Sequence, residues 1–88
     1  MDKDDEIDII GINYNEKKIF FCECKWSNKP SGLELLTKLK GKSEKVLTNK
    51  KSFQVYFIII SKSGFKQDTI NYRRENKNII LFDLDDFK

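Results

Sequence analysis

Apolar positions along the chain follow two spacings, one typical of strands and one typical of helices. Short runs rich in Ile, Val, Phe and Cys, separated by Asn, Ser, Gly or Lys, predict strands. Leucines three or four positions apart predict helices. The predicted strands cover residues 6–13, 18–26, 52–60 and 78–84, and the predicted helices cover residues 32–47 and 65–75. The order strand, strand, helix, strand, helix, strand predicts a mixed α/β sheet.

The first two predicted strands are joined by a turn at residues 15–17, which predicts an antiparallel hairpin. We expect facing residues of this hairpin to have numbers that sum to about 32, within one residue, so that Asp8 lies close to Cys24. The third strand follows a helix, and a right-handed crossover should make it parallel to the second. Its apolar run, 52–60, does not alternate, as expected of a central strand covered on both faces.

The first predicted helix has a start signal and a basic stripe. Ser31 followed by Glu34 fits a capping box, in which each side chain accepts a hydrogen bond from a backbone amide at the start of the helix. Lys38, Lys42 and Lys45 share a face away from the leucines. This stripe is a candidate contact for a phosphate backbone, and a solvated helix face explains it about equally well.

The length and composition are those of one small globular domain. The chain has 88 residues, of which 39% are hydrophobic and 35% are charged, and its apolar residues are clustered in runs. No run approaches the roughly 20 apolar residues that span a bilayer, and the acidic start does not resemble a signal peptide. We therefore expect a soluble cytoplasmic protein without membrane contact.

Two cysteines, Cys22 and Cys24, lie in one predicted strand. They point to the same face of that strand but are too far apart along it for an unstrained disulfide. The sequence contains no His and no other Cys, which makes a zinc site very unfavourable. We expect both to be small buried apolar residues in a reducing compartment.

The net charge of +3 conceals an uneven distribution. Residues 1–25 contain seven acidic and four basic side chains, whereas residues 26–78 contain twelve basic and four acidic ones. A basic centre beside an acidic cluster suits a site that holds a metal ion and faces a polyanion. A Lys-rich solvated surface is the plainer explanation, and for the lysines taken one by one it is the better one.

Charged residues interrupt the second predicted strand near its end. Glu23 and Lys25 share one face of that strand, and the hairpin brings Asp8 beside them. Two carboxylates, with the Cys24 carbonyl, suit Mg²⁺, which prefers oxygen ligands and keeps several waters. Lys25 would orient a metal-bound water or stabilise developing negative charge. An ion pair near the end of the sheet is the alternative, since salt bridges are far commoner than active sites.

A resemblance to the PD-(D/E)xK nuclease superfamily, which has the restriction-endonuclease-like fold, lies in the stretches EIDIIGIN and KKIFFCECKW. Asp8 matches the motif Asp, and Glu23-Cys24-Lys25 match the (D/E)-x-K. With IIISKSGF and IILFDLDDF, the pattern is similar to a C-terminal domain of unknown function attached to archaeal ATPases. The resemblance implies hydrolysis of DNA with Mg²⁺ or Mn²⁺, in which Asp8 and Glu23 bind the metal and Lys25 assists the attacking water.

The chain departs from the superfamily pattern at its start. Members usually begin with a helix that carries a further metal-binding Glu. Either the chain is a fragment of a longer protein, or Glu6 replaces that residue, or the site is degenerate. Ile7 stands where the motif has Pro, and the full Gly-x-x-x-x-Gly-Lys-Ser/Thr pattern of a phosphate-binding loop is absent. We expect residues 1–88 to be one nuclease-like domain, the C-terminal part of a longer family domain. The apolar sheet surface that the missing helix would leave exposed should then be covered in a homodimer or by an ATPase domain.

Trp26 directly follows the motif. It would either stack on an unpaired base or cover the end of the sheet by packing on the helix at 32–47, and we favour the second interpretation. Two functions stay open at this point. One is a metal-dependent deoxyribonuclease. The other is a catalytically inactive module of the same fold that binds nucleic acid or associates with an ATPase.

Overall fold

A computed structural model describes residues 7–84 of the chain. The strands and helices are β1 (Ile9–Asn13), β2 (Lys18–Lys25), α1 (Leu33–Val46), β3 (Gln54–Ser61), α2 (Gln67–Glu75) and β4 (Ile79–Asp83). A short 3-10 turn, Leu47–Asn49, continues α1. The predicted order and the mixed α/β class are confirmed. Neither α1 nor α2, the helices in this part of the chain, is long and apolar enough to cross a membrane.

The strands form one four-stranded sheet in the order β1-β2-β3-β4. β1 pairs antiparallel with β2, whereas the β2–β3 and β3–β4 pairs are parallel, because a helix connects each of these pairs. The core lies between the sheet and α1 with α2. Its buried side chains are Ile19, Phe21, Leu36, Leu39, Phe57, Ile59 and Ile79.

The hairpin register lies within the one-residue range that was predicted. Ile9 faces Cys22 and Ile10 faces Phe21, so that facing residue numbers sum to 31. The turn occupies residues 14–17 because the Asn13 side chain accepts a hydrogen bond from the Glu16 amide at 3.0 Å, an interaction that stabilises a local turn. As a result, Asp8 comes opposite Glu23 rather than Cys24.

One face of the sheet is not covered by either helix. The prediction that β3 is covered on both faces is therefore wrong for the part of the chain between residues 7 and 84. Along β3, burial alternates: Phe57 and Ile59 are buried against α1, and Ile58 and Ile60 are only half-buried. The uncovered face includes the exposed side chains of Ile9, Phe20 and Phe82.

Contact of this uncovered face with a homodimer partner or an ATPase domain stays a prediction. If a second copy covers it, the average mass measured by light scattering should rise with protein concentration. Phe82→Lys should then shift the midpoint of that rise to higher concentration, because it places a charge on the apolar face. A mass that stays monomeric at all concentrations would contradict the homodimer.

The start of α1 is also different from the prediction. Gly32 is the N-cap residue, and no side chain caps the helix, so the capping box formed by Ser31 and Glu34 is wrong. The Ser31 hydroxyl instead lies 3.0 Å from the hydroxyl of Ser61 at the end of β3. The Ser31 backbone forms a β-bridge with Phe65, which is therefore not helical. As a result, α2 begins at Gln67 rather than at the predicted residue 65.

We predict that Ser61→Ala destabilises the protein by about 1–3 kcal/mol. The buried Ser61 hydroxyl donates a 2.8 Å hydrogen bond to the Gly64 carbonyl and contacts the Ser31 hydroxyl, which would lose its partner. Urea unfolding measures the change, and Ser52→Ala, at an exposed position, is the control. Equal stability of the two variants would show that this buried pair contributes nothing.

Candidate functional site

The candidate site lies at the carboxyl end of β2. The antiparallel strand β1 does not extend that far, because its first residue, Ile9, pairs with Cys22. Glu23 and Lys25 share the face of β2 that carries the buried Ile19 and Phe21. Asp8 immediately precedes β1, and the observed register, extended by one residue, places it across from Glu23. Glu23 and Lys25 therefore project from the helix-covered side of the sheet, and the exposed Asp8 lies beside them at its edge.

A hydrogen bond holds Asp8 against the end of β2. The Asp8 carboxylate accepts it from the Cys24 amide, with Oδ2 2.8 Å from the nitrogen. This bond extends the contact of the two chain segments beyond the last residues that pair in β1 and β2. It holds the Asp8 carboxylate near Glu23, whose pKa the Asp8 charge raises.

Glu23 is the most constrained charged residue of the site. Its Oε1 lies 3.7 Å from Lys42 Nζ, and both side chains are 15% exposed. Its Oε2 is buried and has no hydrogen-bond partner. Burial and the nearby Asp8 charge raise the pKa of Glu23, although the Lys42 ammonium acts in the opposite direction. The site therefore holds more negative charge than one ammonium group compensates.

The arrangement fits a hard cation with few protein ligands. A buried carboxylate oxygen without a partner is rare in folded proteins and is a ready ligand. The Cys24 amide points to Asp8, and the carbonyl of the same residue lies on the same side of the strand. Mg²⁺ is commonly held by one or two carboxylates and keeps several waters. Within residues 7–84 no three acidic, Cys or His side chains form a metal-binding group, and Glu6, the predicted additional ligand, lies outside the described residues.

Lys25 lies at the exposed end of β2, two residues beyond Glu23. With a rise of about 3.3 Å per residue, its Cα is roughly 7 Å from that of Glu23. Its side chain lines a pocket of about 260 Å³ at the start of α1. Lys25 therefore connects the carboxylate pair with a second, basic surface.

The structure separates the three lysines of the predicted stripe. Lys38 and Lys45 are exposed, whereas Lys42 is half-buried and pairs with Glu23. The three lysines have the predicted spacing along the helix, but Lys42 lies closer to the sheet than the other two, since it pairs with Glu23 of β2. Sequence reasoning missed the role of Lys42 as counter-ion, since its partner is 19 positions away in sequence.

Trp26 does not pack on α1, so the favoured interpretation is wrong. Its side chain is 74% exposed, and Lys62 Nζ lies 5.4 Å from the centre of its ring. The strand ends at Lys25, and Trp26 is the first residue of the loop that follows. Stacking on a base stays a prediction.

If Trp26 stacks on an unpaired base, Trp26→Ala should weaken binding of single-stranded DNA by about 1–3 kcal/mol. Since Trp26 is the single tryptophan of the chain, quenching of its fluorescence reports contact with the base directly. Tyr14→Ala is a suitable control, because Tyr14 is 68% exposed in the turn that joins β1 and β2. Binding that leaves the fluorescence unchanged would contradict the stacking.

The two cysteines are both free, as expected, but only one is buried. Cys22 is 4% exposed, and burial raises the pKa of its thiol to about 11. This thiol therefore stays protonated at neutral pH. The prediction of a buried residue is wrong for Cys24, which is exposed where β1 no longer flanks β2.

Comparison with known proteins identifies a family. A family model described as "Archaea bacterial proteins of unknown function" matches residues 1–46, just over half of the chain. These residues include β1, β2 and all of α1, and hence Asp8, Glu23, Lys25 and Lys42. Comparisons with curated proteins and with solved structures gave no significant match.

Proposed function

Because the chain belongs to this family of archaeal and bacterial proteins of unknown function, we propose its activity from its own residues: metal-dependent hydrolysis of DNA phosphodiester bonds. The pairing of Asp8 with Glu23 supports this proposal most strongly. The buried Glu23 Oε2 has no hydrogen-bond partner, and a second carboxylate adjoins it. Such a pair is stable as two anions only when cations compensate both charges, and the Lys42 ammonium supplies one of them.

Each residue has a chemical role in this proposal. Asp8 and Glu23, with the Cys24 carbonyl, would hold the metal. A bound Mg²⁺ or Mn²⁺ acidifies a coordinated water and offsets the charge of the phosphate. Lys25 orients the attacking water and stabilises the negative charge that develops on the phosphate oxygens. The order Asp8, then Glu23-Cys24-Lys25, resembles the PD-(D/E)xK motif, which supports the same assignment.

The test is a nuclease assay with supercoiled, linear and branched DNA. We expect cleavage of at least one of these substrates in Mg²⁺ or Mn²⁺, and no cleavage in EDTA. A protein that cleaves none of them with either metal would contradict the proposal.

A second candidate function is a module that binds nucleic acid without cleaving it. The observation that favours it is the ion pair of Glu23 with Lys42, which already compensates part of the negative charge of the site. Such a module would bind DNA equally well with and without Mg²⁺, and Asp8→Asn would not alter its affinity. Metal-dependent cleavage excludes this alternative.

A further inference from the structure

A basic pocket adjoins the candidate site and was not predicted from the sequence. It has a volume of about 260 Å³ and lies between the end of β2, the start of α1 and the start of α2. Four lysines and a single carboxylate line it: Lys25, Lys29, Lys38, Lys66 and Glu34. Like charges brought to one pocket repel each other unless an anion compensates them.

Backbone groups at the floor of the pocket also favour an anion. The first amides of a helix lack the carbonyl partners of the later turns, and no side chain caps α1. The Leu35 amide already donates to the Gly32 carbonyl at 3.2 Å, which leaves the amides of Leu33 and Glu34 for an anion. Gly32 is buried beneath two of the pocket side chains: a methyl group added there would lie 2.7 Å from Glu34 Oε2 and 3.1 Å from Lys66 Cδ. The Glu34 carboxylate therefore lies at the start of its own helix, where an external anion would otherwise bind.

Two independent distances, one along β2 and one along α1, place the pocket next to the carboxylate pair. Along β2, Lys25 is two residues from Glu23, or roughly 7 Å. Along α1, Lys38 is one turn, roughly 6 Å, from Lys42, which pairs with Glu23. A nucleic-acid backbone that passes through the candidate site would therefore place a neighbouring phosphate in the pocket.

We propose that this pocket binds a backbone phosphate of the nucleic acid beside the one that is hydrolysed, through Lys25, Lys38, Lys66 and the first amides of α1. The inference rests on the proposed function for the nature of the polyanion. The pocket is smaller than the roughly 300–1,000 Å³ sites of drug-sized ligands, which suits a phosphate group rather than a whole cofactor. Glu34 competes with that phosphate for the helix start.

The test compares two pairs of substitutions with equal loss of charge. In EDTA, a short labelled DNA duplex is titrated with the intact protein over a range of salt concentrations. Lys38→Ala with Lys66→Ala should reduce the salt dependence of binding by about one unit of log–log slope per lysine. Lys51→Ala with Lys77→Ala, at exposed positions away from the pocket, should leave the slope unchanged.

Two further measurements test the competing carboxylate of Glu34 and the helix amides directly. Glu34→Gln should tighten DNA binding, because it removes the competing carboxylate. Inorganic phosphate should shift the NMR signals of the amides at positions 33 and 34 in the intact protein, and not in the Lys38→Ala, Lys66→Ala variant. Equal salt-dependence slopes for the two double variants, or no change in the amide NMR signals with phosphate, would contradict the proposal that the pocket binds a phosphate.

The experiments distinguish failure of the pocket proposal from failure of the proposed nuclease activity. If the pocket lysines alter the slope but DNA stays uncleaved in Mg²⁺ and Mn²⁺, the pocket is supported and hydrolysis is refuted. If DNA is cleaved but the two lysine pairs bind it with equal slopes, the pocket is refuted and hydrolysis stands.

Discussion

Replacing Lys25 with alanine should lower the rate of DNA hydrolysis about a hundredfold to a thousandfold, or roughly 3 to 4 kcal/mol of transition-state stabilisation. The Lys25 ammonium extends from the end of β2 on the same face as Glu23, beside the position at which the phosphate would gain negative charge. No other lysine combines this position with exposure among the described residues of β2, because Lys18 is at the opposite end of the strand. Single-turnover nicking of supercoiled DNA in Mg²⁺ measures the rate.

Two controls separate catalysis from folding in this experiment. Since Lys25 is exposed, Lys25→Ala should change the free energy of unfolding by less than about 0.5 kcal/mol in urea. Lys25→Arg should recover only part of the rate, because guanidinium keeps the charge but not the compact shape of the ammonium. Lys51→Ala should cleave DNA like the unmodified protein. A Lys25→Ala protein with full activity would remove Lys25 from the mechanism.

Asp8→Asn should weaken Mg²⁺ binding by more than the roughly 10–100-fold that loss of an outer-shell partner costs, and cleavage should fall with it. The amide oxygen of Asn can still accept the hydrogen bond from the Cys24 amide, so that the hairpin end is retained. What is lost is one of the two anionic ligands. Paramagnetic broadening of amide NMR signals by Mn²⁺ measures the affinity, and the amides of Glu23 and Cys24 should be broadened most.

Glu75→Gln is the matched control for Asp8→Asn. It removes one negative charge at the exposed end of α2, and Mn²⁺ should bind this variant as it binds the unmodified protein. If Asp8→Asn and Glu75→Gln bind Mn²⁺ equally, the carboxylate pair is not a metal site, and the ion pair of Glu23 with Lys42 is its full explanation.

Local sequence signals were sufficient for the order of the elements and for the position of the site on the sheet. Runs of β-branched and aromatic residues predicted each strand, and leucine spacing predicted α1, because both depend only on near neighbours in sequence. The alternation of side chains along β2 placed Glu23 and Lys25 on one face with Ile19 and Phe21, as the structure has them. The proximity of Asp8 also followed from the short turn alone.

Features that depend on contacts between distant residues were not predictable in this way. Ser31 has the sequence of a helix cap, yet its hydroxyl pairs with Ser61, 30 positions later. Trp26 follows an apolar strand, yet the loop leaves it 74% exposed. In each case a tertiary contact, or its absence, overrides the local preference, since a side chain has several near-equivalent partners until the fold selects one.

By itself, therefore, the sequence determined a hairpin followed by two strand–helix crossovers, with Asp8, Glu23 and Lys25 at one end of the sheet. Only the tertiary structure decided which ammonium compensates Glu23 and which lysines gather at the start of α1. Lys42 reaches Glu23, and Lys66 reaches the pocket of Lys25 and Lys38, because the sheet and the packed helices bring together residues far apart in the chain. Periodicity describes the direction of a side chain on its own element, whereas charge pairing depends on the distance between elements.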